Sequence, residues 1–320
     1  MHLSFSRFLS SRGLPSQSLS FLAASTVALG SAFAVAPHAA AEESACPDVV
    51  VLAARGSDQD KDHGEYFGPQ QYSEHSAPSN GYEGPNLAGL FHLVEKRHPG
   101  TMDRVFVLAM DDKAYPAEMD LPALAEDGEN LNPIQTVQRL ALIVGQHPLY
   151  ELIPSVLFGF INSVQTGMAN APKVVQDYEA STGCAPKYIT AGYSQGAIIT
   201  TSAEKSLPRL HAAITLGNPL SLPGDPNVIG SPARGGGLLE LAPAHMRPES
   251  AVLPEGQRLN YCLRDDFACD LSVASASAAL STKASRHASY FTQAPTPADE
   301  KVADTFASWV ESARIISTHD

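Results

Sequence analysis

The sequence predicts an α/β fold, in which a central, mostly parallel sheet is flanked by helices, and three observations support this prediction. Short apolar runs alternate along the chain with longer stretches of helical periodicity. The composition, with 44% hydrophobic and 17% charged residues, supplies the side chains for a sizeable core and excludes a disordered chain. Neither an internal repeat nor a Pro/Ser-rich linker divides the sequence, so one compact domain is expected.

Five segments are predicted to be strands. Residues 48–53 form a continuous apolar run with three consecutive valines, which is typical of a strand covered on both faces of a parallel sheet. The same pattern returns at 105–109, 188–191 and 213–216, and a further strand is expected at 258–261.

Apolar residues share one helical face in three segments between and after these strands. The three faces consist of Leu87, Leu90, Phe91 and Val94; of Val164, Met168, Val175 and Tyr178; and of Val302, Phe306, Trp309, Val310 and Ala313. The first helix is expected to end near Pro99-Gly100, and the second to kink at Pro172. The third is expected to begin at Thr296-Pro297 and to bury its face in the core.

The N-terminal residues 1–41 are predicted to be a secretory signal peptide. Arg7 and Arg12 precede an Ala- and Ser-rich apolar stretch, and small residues at 39–41 form a cleavage site. A membrane anchor is the alternative, although the apolar stretch is weak for that role. Residues 42–320 would then form a single catalytic domain that is secreted or associated with the cell envelope, where disulfides can form.

Charge and motif content exclude several classes of function. The 34 acidic residues outnumber the 21 Lys and Arg residues, and no basic cluster is present, which argues against a nucleic-acid partner. No zinc-type spacing occurs, so neither a metal nor another cofactor is expected. Asp58, Asp60 and Asp62 resemble a calcium loop, but the glycine and glutamate of that motif are misplaced, and we interpret the segment as a solvated acidic loop.

Two regions, 58–85 and 111–160, do not fit the alternation of strands and helices. The first is polar and reads as a long loop, whereas the second is acidic in its first half and apolar over 140–161. Pro148 and Pro154 are expected to prevent one long helix there. The 111–160 insertion is interpreted either as an extra helical layer or as a lid over an active site that handles lipid.

A catalytic serine nucleophile is predicted within residues 192–196, Gly-Tyr-Ser-Gln-Gly, which match the G-x-S-x-G pattern of a nucleophile elbow. The pattern alone is weak, but a predicted strand precedes it and a run that can be helical, 197–205, follows it. Ser194 would thus stand at a helix N-terminus, where free N–H groups favour a developing oxyanion.

A serine nucleophile needs a histidine base, which in this type of fold follows an acidic residue along the chain. Three histidines follow the motif at a distance: His245, His287 and His319. His319 lies in the terminal tail and His245 in a Pro-rich loop, so His287 is the preferred base.

The acid is expected in the loop 262–269, which two cysteines bracket. A disulfide across this loop would hold a carboxylate still, as an orienting acid requires. Spacing alone leaves both Asp265 and Asp266 open. Asp225, which reads as a loop residue after the turn at 217–219, is a weaker alternative.

Four segments in this order resemble the cutinases, which are secreted serine esterases with a minimal α/β-hydrolase fold. They are residues 46–57 (CPDVVVLAARGS), Cys184-Ala185-Pro186 with the elbow, the acid loop 262–269, and His287-Ala288-Ser289-Tyr290. The resemblance implies a catalytic set of Ser194, His287 and Asp266 rather than Asp265. It also implies disulfides Cys46–Cys184 and Cys262–Cys269, and an oxyanion hole formed by the backbone N–H groups of Ser57 and Gln195.

The 58–85 and 111–160 regions are longer than in fungal cutinases and are similar to those of an actinobacterial-type branch, which is associated with lipid and polyester substrates. The resemblance therefore implies a secreted carboxylic-ester hydrolase that acts on lipid-like or polyester esters. The alternatives are an acetyl esterase on polysaccharide, an acyl transferase or hydrolase of cell-envelope glycolipids, and an inactive binding module, which the intact catalytic set opposes. The expected partners are the ester substrate and, transiently, a lipid or envelope surface, without an obligate protein partner.

Overall fold

An all-parallel sheet of six strands runs through the part of the chain that the structure, a computed structural model, describes. The described residues are 46–59, 68–119, 149–230, 235–240, 242, 247–272, 275 and 286–317. The predicted signal peptide, the centre of the 111–160 insertion, His245 and His319 lie outside these residues. The strands are β1 (Val49–Ala54), β2 (Val105–Ala109), β3 (Lys187–Tyr193), β4 (Leu210–Leu216), β5 (Val228–Gly230) and β6 (Arg258–Cys262).

The strand order β2-β1-β3-β4-β6-β5 places β3 at the centre of the sheet, next to β1 and β4. The helices are α1 (Gly84–Arg97), α2 (Leu149–Thr182), α3 (Gln195–Ala203) and α4 (Pro297–Ser317), with short 3-10 turns at Glu204–Ser206 and Arg286–Ser289. Because parallel strands connected through helices end at the same edge, the carboxyl ends of β1, β3, β4 and β6 lie side by side. The chain therefore has the α/β-hydrolase arrangement that the sequence predicted.

The sheet separates two apolar clusters, as a strand buried on both faces requires. Val49, Val51 and Ala53 face the cluster that α1 and α4 cover. Val50, Leu52 and Ala54 face the opposite cluster, which α2 and α3 cover. Trp309 of α4 is buried in the first cluster, and its indole N–H donates to the Gly256 carbonyl at 2.7 Å. The prediction that the last helix buries its apolar face is confirmed.

The prediction that Pro154 interrupts the helical run of the insertion is wrong, whereas Pro148 lies outside the described residues. Leu149–Thr182 is a continuous helix of 34 residues that passes through both Pro154 and Pro172. A proline inside a helix removes one backbone hydrogen bond and its ring crowds the preceding turn, and together these effects cost about 3 kcal/mol. The helix packs closely against α3, since a Cβ at Gly167 would lie 2.6 Å from Ile199 Cδ1. Tertiary packing of α2 thus overrides the local preference of its prolines.

Both disulfides implied by the resemblance are present in the structure. Cys46 pairs with Cys184, which joins the chain before β1 to the chain before β3, and Cys262 pairs with Cys269 across the acid loop. None of the described helices has the length and apolar character that crossing a bilayer requires.

Candidate active site

The sharp turn between β3 and α3 carries Ser194. The backbone of Ser194 has φ 54° and ψ −119°, a conformation that non-glycine residues rarely adopt. Two hydrogen bonds hold this turn, from the Ser194 N–H to the Leu216 carbonyl and from the Ala197 N–H to the Ser194 carbonyl, each at 2.9 Å. This strained backbone conformation persists because the packing of the surrounding strands and helix fixes the position of Ser194.

The two glycines of the motif are sterically required. A Cβ at Gly192 would lie 2.6 Å from the Cα of Ala197, and a Cβ at Gly196 would lie 2.0 Å from the carbonyl oxygen of Ala54. Both distances are well below contact between non-bonded atoms. The helix that follows the nucleophile can approach β1 this closely only because position 196 has no side chain.

The structure brings the predicted residues Ser194, His287 and Asp266 together. His287 Nε2 lies 2.7 Å from Ser194 Oγ, and His287 Nδ1 lies 2.9 and 3.0 Å from the two carboxylate oxygens of Asp266. An ionised carboxylate only accepts hydrogen bonds, so this geometry fits the tautomer with the proton on Nδ1 and with Nε2 accepting from the serine hydroxyl. Ser194 and Asp266 are buried, and His287 borders a cavity.

Asp266 is completely buried and has two further donors besides His287. The Ala268 N–H donates to Oδ1 at 2.9 Å, and the Tyr290 hydroxyl donates to Oδ2 at 2.5 Å. Burial, followed by the charge of Asp266, raises the pKa of the Tyr290 phenol well above 10, so the phenol stays a donor. Tyr290 was not predicted to belong to the site; its position three residues after His287 was the available signal.

The alternative acids are placed differently. Asp225 accepts hydrogen bonds from the backbone and side-chain N–H groups of Asn227 and from the amide of Asn260. Asp265 is part of the turn that precedes Asp266, with φ 67°. Of the aspartates considered, Asp266 is the one bonded to His287.

Gly217, at the end of β4, lies directly beneath the His287–Asp266 pair. Its φ is +55°, and a Cβ there would be 2.7 Å from His287 Cε1 and 2.9 Å from Asp266 Oδ2. The Gly217 N–H donates to the Tyr261 carbonyl at 2.9 Å. The position of the imidazole therefore depends on the absence of a side chain at 217.

The two residues predicted for the oxyanion hole lie on either side of Ser194. Ser57 follows β1, and its buried hydroxyl has no hydrogen-bond partner in the described part of the chain. Gln195 is the first residue of α3, so its N–H has no acceptor within the helix. The Gln195 side chain is buried, and its carbonyl accepts from the Tyr115 hydroxyl at 2.7 Å and from the Ser163 hydroxyl at 3.0 Å.

A cavity of about 230 Å³ opens at Ser194 and His287. Its remaining described lining is mixed: polar groups come from Ser57, Asp58, Gln59, Asn86 and Thr292, and apolar groups come from Pro85, Met119, Tyr193 and Ala288. Gln59 and Asn86 connect the two sides of this cavity. The side-chain oxygen of Gln59 accepts from the Gly56 N–H at 3.0 Å, and the side-chain nitrogen of Gln59 donates to Asn86 Oδ1 at 2.6 Å. Asn86 Nδ2 in turn donates to the backbone carbonyl of Tyr290 at 2.8 Å.

The described residues contain no group of three His, Cys, Asp or Glu side chains that could hold a metal ion. Of the charged groups near the site, Arg55 is paired with Asp112, at 2.6 Å.

Comparison with known proteins gives similarity at the level of structure only. No protein-family model matches the chain, and no curated protein sequence matches it. An acetylxylan esterase structure has 17% identity and a TM-score of 0.44, covering 84% of this chain and 99% of that chain. A cutinase-like protein from Cryptococcus sp. has 16% identity and a TM-score of 0.40, covering 84% and 96%. A Trichoderma reesei cutinase has 17% identity and a TM-score of 0.37, covering 84% and 77%. Similarity this low assigns neither an activity nor a substrate to the chain.

Proposed function

We propose that this protein is an exported serine carboxylic-ester hydrolase of the cutinase type, which acts through an acyl-enzyme intermediate. The observation that carries the proposal is the hydrogen-bonded series Ser194–His287–Asp266, with the serine on a strained elbow at the carboxyl edge of a parallel sheet. This combination of nucleophile, base and buried orienting acid is the one that acyl transfer to serine requires. The two disulfides support an oxidising compartment outside the cytosol.

In the proposed reaction, Ser194 Oγ attacks the ester carbonyl carbon while His287 Nε2 takes the hydroxyl proton. Asp266 stabilises the resulting imidazolium through its bonds to Nδ1. His287 then gives the proton to the departing alkoxide, which leaves as an alcohol, and the acyl group remains on Ser194. Water attacks the acyl-enzyme while His287 takes one of its protons; His287 then returns that proton to Ser194 Oγ as the acyl–oxygen bond breaks, and the carboxylic acid is released.

The negative charge on the carbonyl oxygen would be stabilised by the backbone N–H groups of Ser57 and Gln195. The Ser57 hydroxyl supports this role, because it is buried and has no partner among the described residues, and a donor in that state gains a partner when an oxyanion forms. Donors that are already in place stabilise the transition state without reorganisation.

Two substrate classes follow from different parts of the chain. The apolar residues over 140–161 support esters of lipid-like acids or of polyesters, and contact with a lipid or envelope surface. The second candidate is an acetyl or other short-chain esterase on polysaccharide. The polar residues Asp58, Asn86 and Thr292 favour it, because they border a cavity of about 230 Å³, which is small for a long acyl chain.

The test is hydrolysis of p-nitrophenyl esters with acyl chains from C2 to C16 by the wild-type protein and by Ser194→Ala. Ser202→Ala is a matched control, since Ser202 lies in the same helix and donates to the Ile199 carbonyl. We expect Ser194→Ala to lose a factor on the order of 10⁴ or more in kcat, and Ser202→Ala to retain activity. An optimum at C2–C4 would select the short-chain class, and an optimum at C8 or above the lipid-like class.

Labelling by a fluorophosphonate, with the modified residue located by mass spectrometry, gives an independent readout of Ser194. If the wild-type protein hydrolyses no chain length and the probe does not modify Ser194, the ester-hydrolase proposal is refuted. A binding module on a hydrolase fold would then be the better account.

A further inference from the structure

The loop that carries Ser57 is anchored on its N-terminal side by a buried arginine. Arg55 is 1% exposed, and its guanidinium donates to the Met110 carbonyl at 2.8 Å, to Asp112 at 2.6 Å and to the Tyr115 carbonyl at 3.1 Å. The Tyr115 ring lies 5.3 Å from the guanidinium carbon. A charge this deeply buried is stable only with several such acceptors, so the contact between Arg55 and residues 110–119 is firmly determined.

The same loop is anchored on its C-terminal side by the same segment. The Asp58 N–H donates to the Ala117 carbonyl at 2.8 Å, and the Asp58 carboxylate accepts from the Met119 N–H at 3.0 Å. Ser57 therefore lies between two neighbours, Arg55 and Asp58, that are both bonded to residues 110–119.

The other half of the proposed oxyanion hole is bonded to this segment as well. The Tyr115 hydroxyl lies 2.7 Å from Gln195 Oε1 and 3.1 Å from the Arg55 carbonyl oxygen, and Gln195 Nε2 donates to the Glu118 carbonyl at 3.2 Å. Tyr115 is completely buried, which raises the pKa of its phenol well above 10 and keeps it protonated. The one proton of this hydroxyl, given chiefly to Gln195 Oε1 and shared with the Arg55 carbonyl oxygen, thus lies between the β1 loop and the first residue of α3.

We infer that Met110–Met119 is a clamp that sets the separation of the two halves of the oxyanion hole, with Tyr115 as its central positioning residue. The inference rests on the proposed function. Ser57 and Gln195 come from distant parts of the sequence, and Arg55, Asp58 and Gln195 all bond to this one short segment. Fixing both donors before substrate arrives is the condition under which an oxyanion hole lowers the barrier most.

The clamp is itself held in the core. Tyr115 and Ala117 are fully buried, and the Ala114 carbonyl accepts from the Asn170 amide of α2 at 3.2 Å. The first nine residues of the 111–160 insertion, interpreted from sequence as an added layer or lid, are therefore part of the scaffold that surrounds the nucleophile.

The test compares Tyr115→Phe with Tyr188→Phe. The first change removes the bridging hydroxyl and keeps the ring that packs on Arg55. The second is a matched control, because Tyr188 is equally buried in the same apolar cluster and its hydroxyl donates to Glu179, at 3.0 Å and away from the site. Activity toward a p-nitrophenyl ester is expressed per active site, counted by the endpoint of fluorophosphonate labelling, so that a misfolded fraction does not alter kcat.

We expect Tyr115→Phe to lower kcat by about tenfold or more with KM changed by less than about twofold, since only a transition-state contact is weakened. Affinity for a trifluoromethyl ketone, which forms an anionic tetrahedral adduct on the serine, is expected to fall by a similar factor. Tyr188→Phe is expected to retain wild-type values for both quantities.

Ser163→Ala tests the same hydrogen bonding of the Gln195 side chain if Tyr115→Phe does not fold, because the Ser163 hydroxyl also donates to Gln195 Oε1. We expect a smaller loss in kcat for this variant, and a larger loss when both donors are removed. Equal kcat per active site in Tyr115→Phe and Tyr188→Phe would overturn the clamp while leaving the proposed function intact. A wild-type protein that is neither active nor labelled would instead refute the proposed function, and the clamp with it.

Discussion

Replacing Gly217 with alanine tests whether activity depends on the position of the His287–Asp266 pair above this glycine. The new methyl group would begin 2.7 Å from His287 Cε1 and 2.9 Å from Asp266 Oδ2. Ordinary carbon–carbon contact needs about 3.5 Å, so the imidazole has to move by about 0.8 Å. The bond from His287 Nε2 to Ser194 Oγ is 2.7 Å long, and a shift of this size is enough to disrupt it.

The expected effect on catalysis is large, because a misplacement of about 1 Å at a reacting group costs on the order of 10²-fold in rate. We therefore expect kcat/KM of Gly217→Ala to fall by about 10²-fold, which corresponds to about 2.7 kcal/mol of transition-state stabilisation. The backbone contributes a separate cost to folding. Alanine at a positive φ loses about 1–2 kcal/mol of stability relative to glycine.

Gly224→Ala separates these two effects. Gly224 has φ +75°, so alanine meets a similar backbone cost, but no heavy atom lies within 4 Å of the added carbon. Urea unfolding should give comparable losses of stability for the two variants, and p-nitrophenyl butyrate hydrolysis should give normal kcat/KM for Gly224→Ala alone. Activities of the two variants within about twofold of each other would refute the placement of His287 over Gly217.

Two further predictions concern ion pairs. Glu204 is buried and accepts two hydrogen bonds from Arg258, at 2.9 and 2.6 Å. Glu204→Gln should therefore lower the free energy of unfolding by about 3 kcal/mol in urea titrations. Glu249→Gln is the control, because Glu249 belongs to an exposed ion pair, and it should leave the urea midpoint unchanged. Hydrogen bonds led by that from Arg97 lower the pKa of Asp304 from 3.8 to about 2. Because the folded value lies below the unfolded one, this contribution is complete above about pH 4 and is lost as the pH falls toward 2. Asp304→Asn should therefore be less stable than the wild-type protein at pH 7, by at most about 1 kcal/mol since the pair is exposed, and equal to it near pH 2 in thermal unfolding.

The fold was predictable where the signal is local. The buried strand at 48–53 and the strand–Ser194–helix order depend on short apolar runs and on two glycines, and these patterns survive in a single sequence. β5 was not predicted, because three half-exposed residues paired only to β6 leave no periodicity to detect. The continuity of α2 through Pro154 was predicted wrongly, because its packing against α3 is a tertiary effect.

The candidate catalytic set was predictable in part. Chain order and the cysteine-bracketed loop led to His287 and to two neighbouring aspartates, and the cutinase resemblance selected Asp266, which the structure bonds to His287. Tyr290, by contrast, donates to Asp266, and its position three residues after His287 was too weak a signal to assign it that role. Which residue bonds to a buried acid depends on the three-dimensional packing of the core, and no local sequence pattern identifies that residue.

The clamp shows the same limit and has a consequence for the insertion. Arg55 and Tyr115 are 60 positions apart in the sequence, and Tyr115 and Gln195 are 80 apart, so no local pattern could have predicted these contacts. The sequence did contain one signal, since an arginine directly after a strand of apolar residues indicates a buried charge that needs several acceptors. Any movement of the 111–160 insertion that included Met110–Met119 would break the bonds to Arg55 and Gln195 and separate the two halves of the oxyanion hole. Residues 111–119 of the insertion therefore belong with the candidate site itself, because the proposed separation of Ser57 and Gln195 depends on their staying in place.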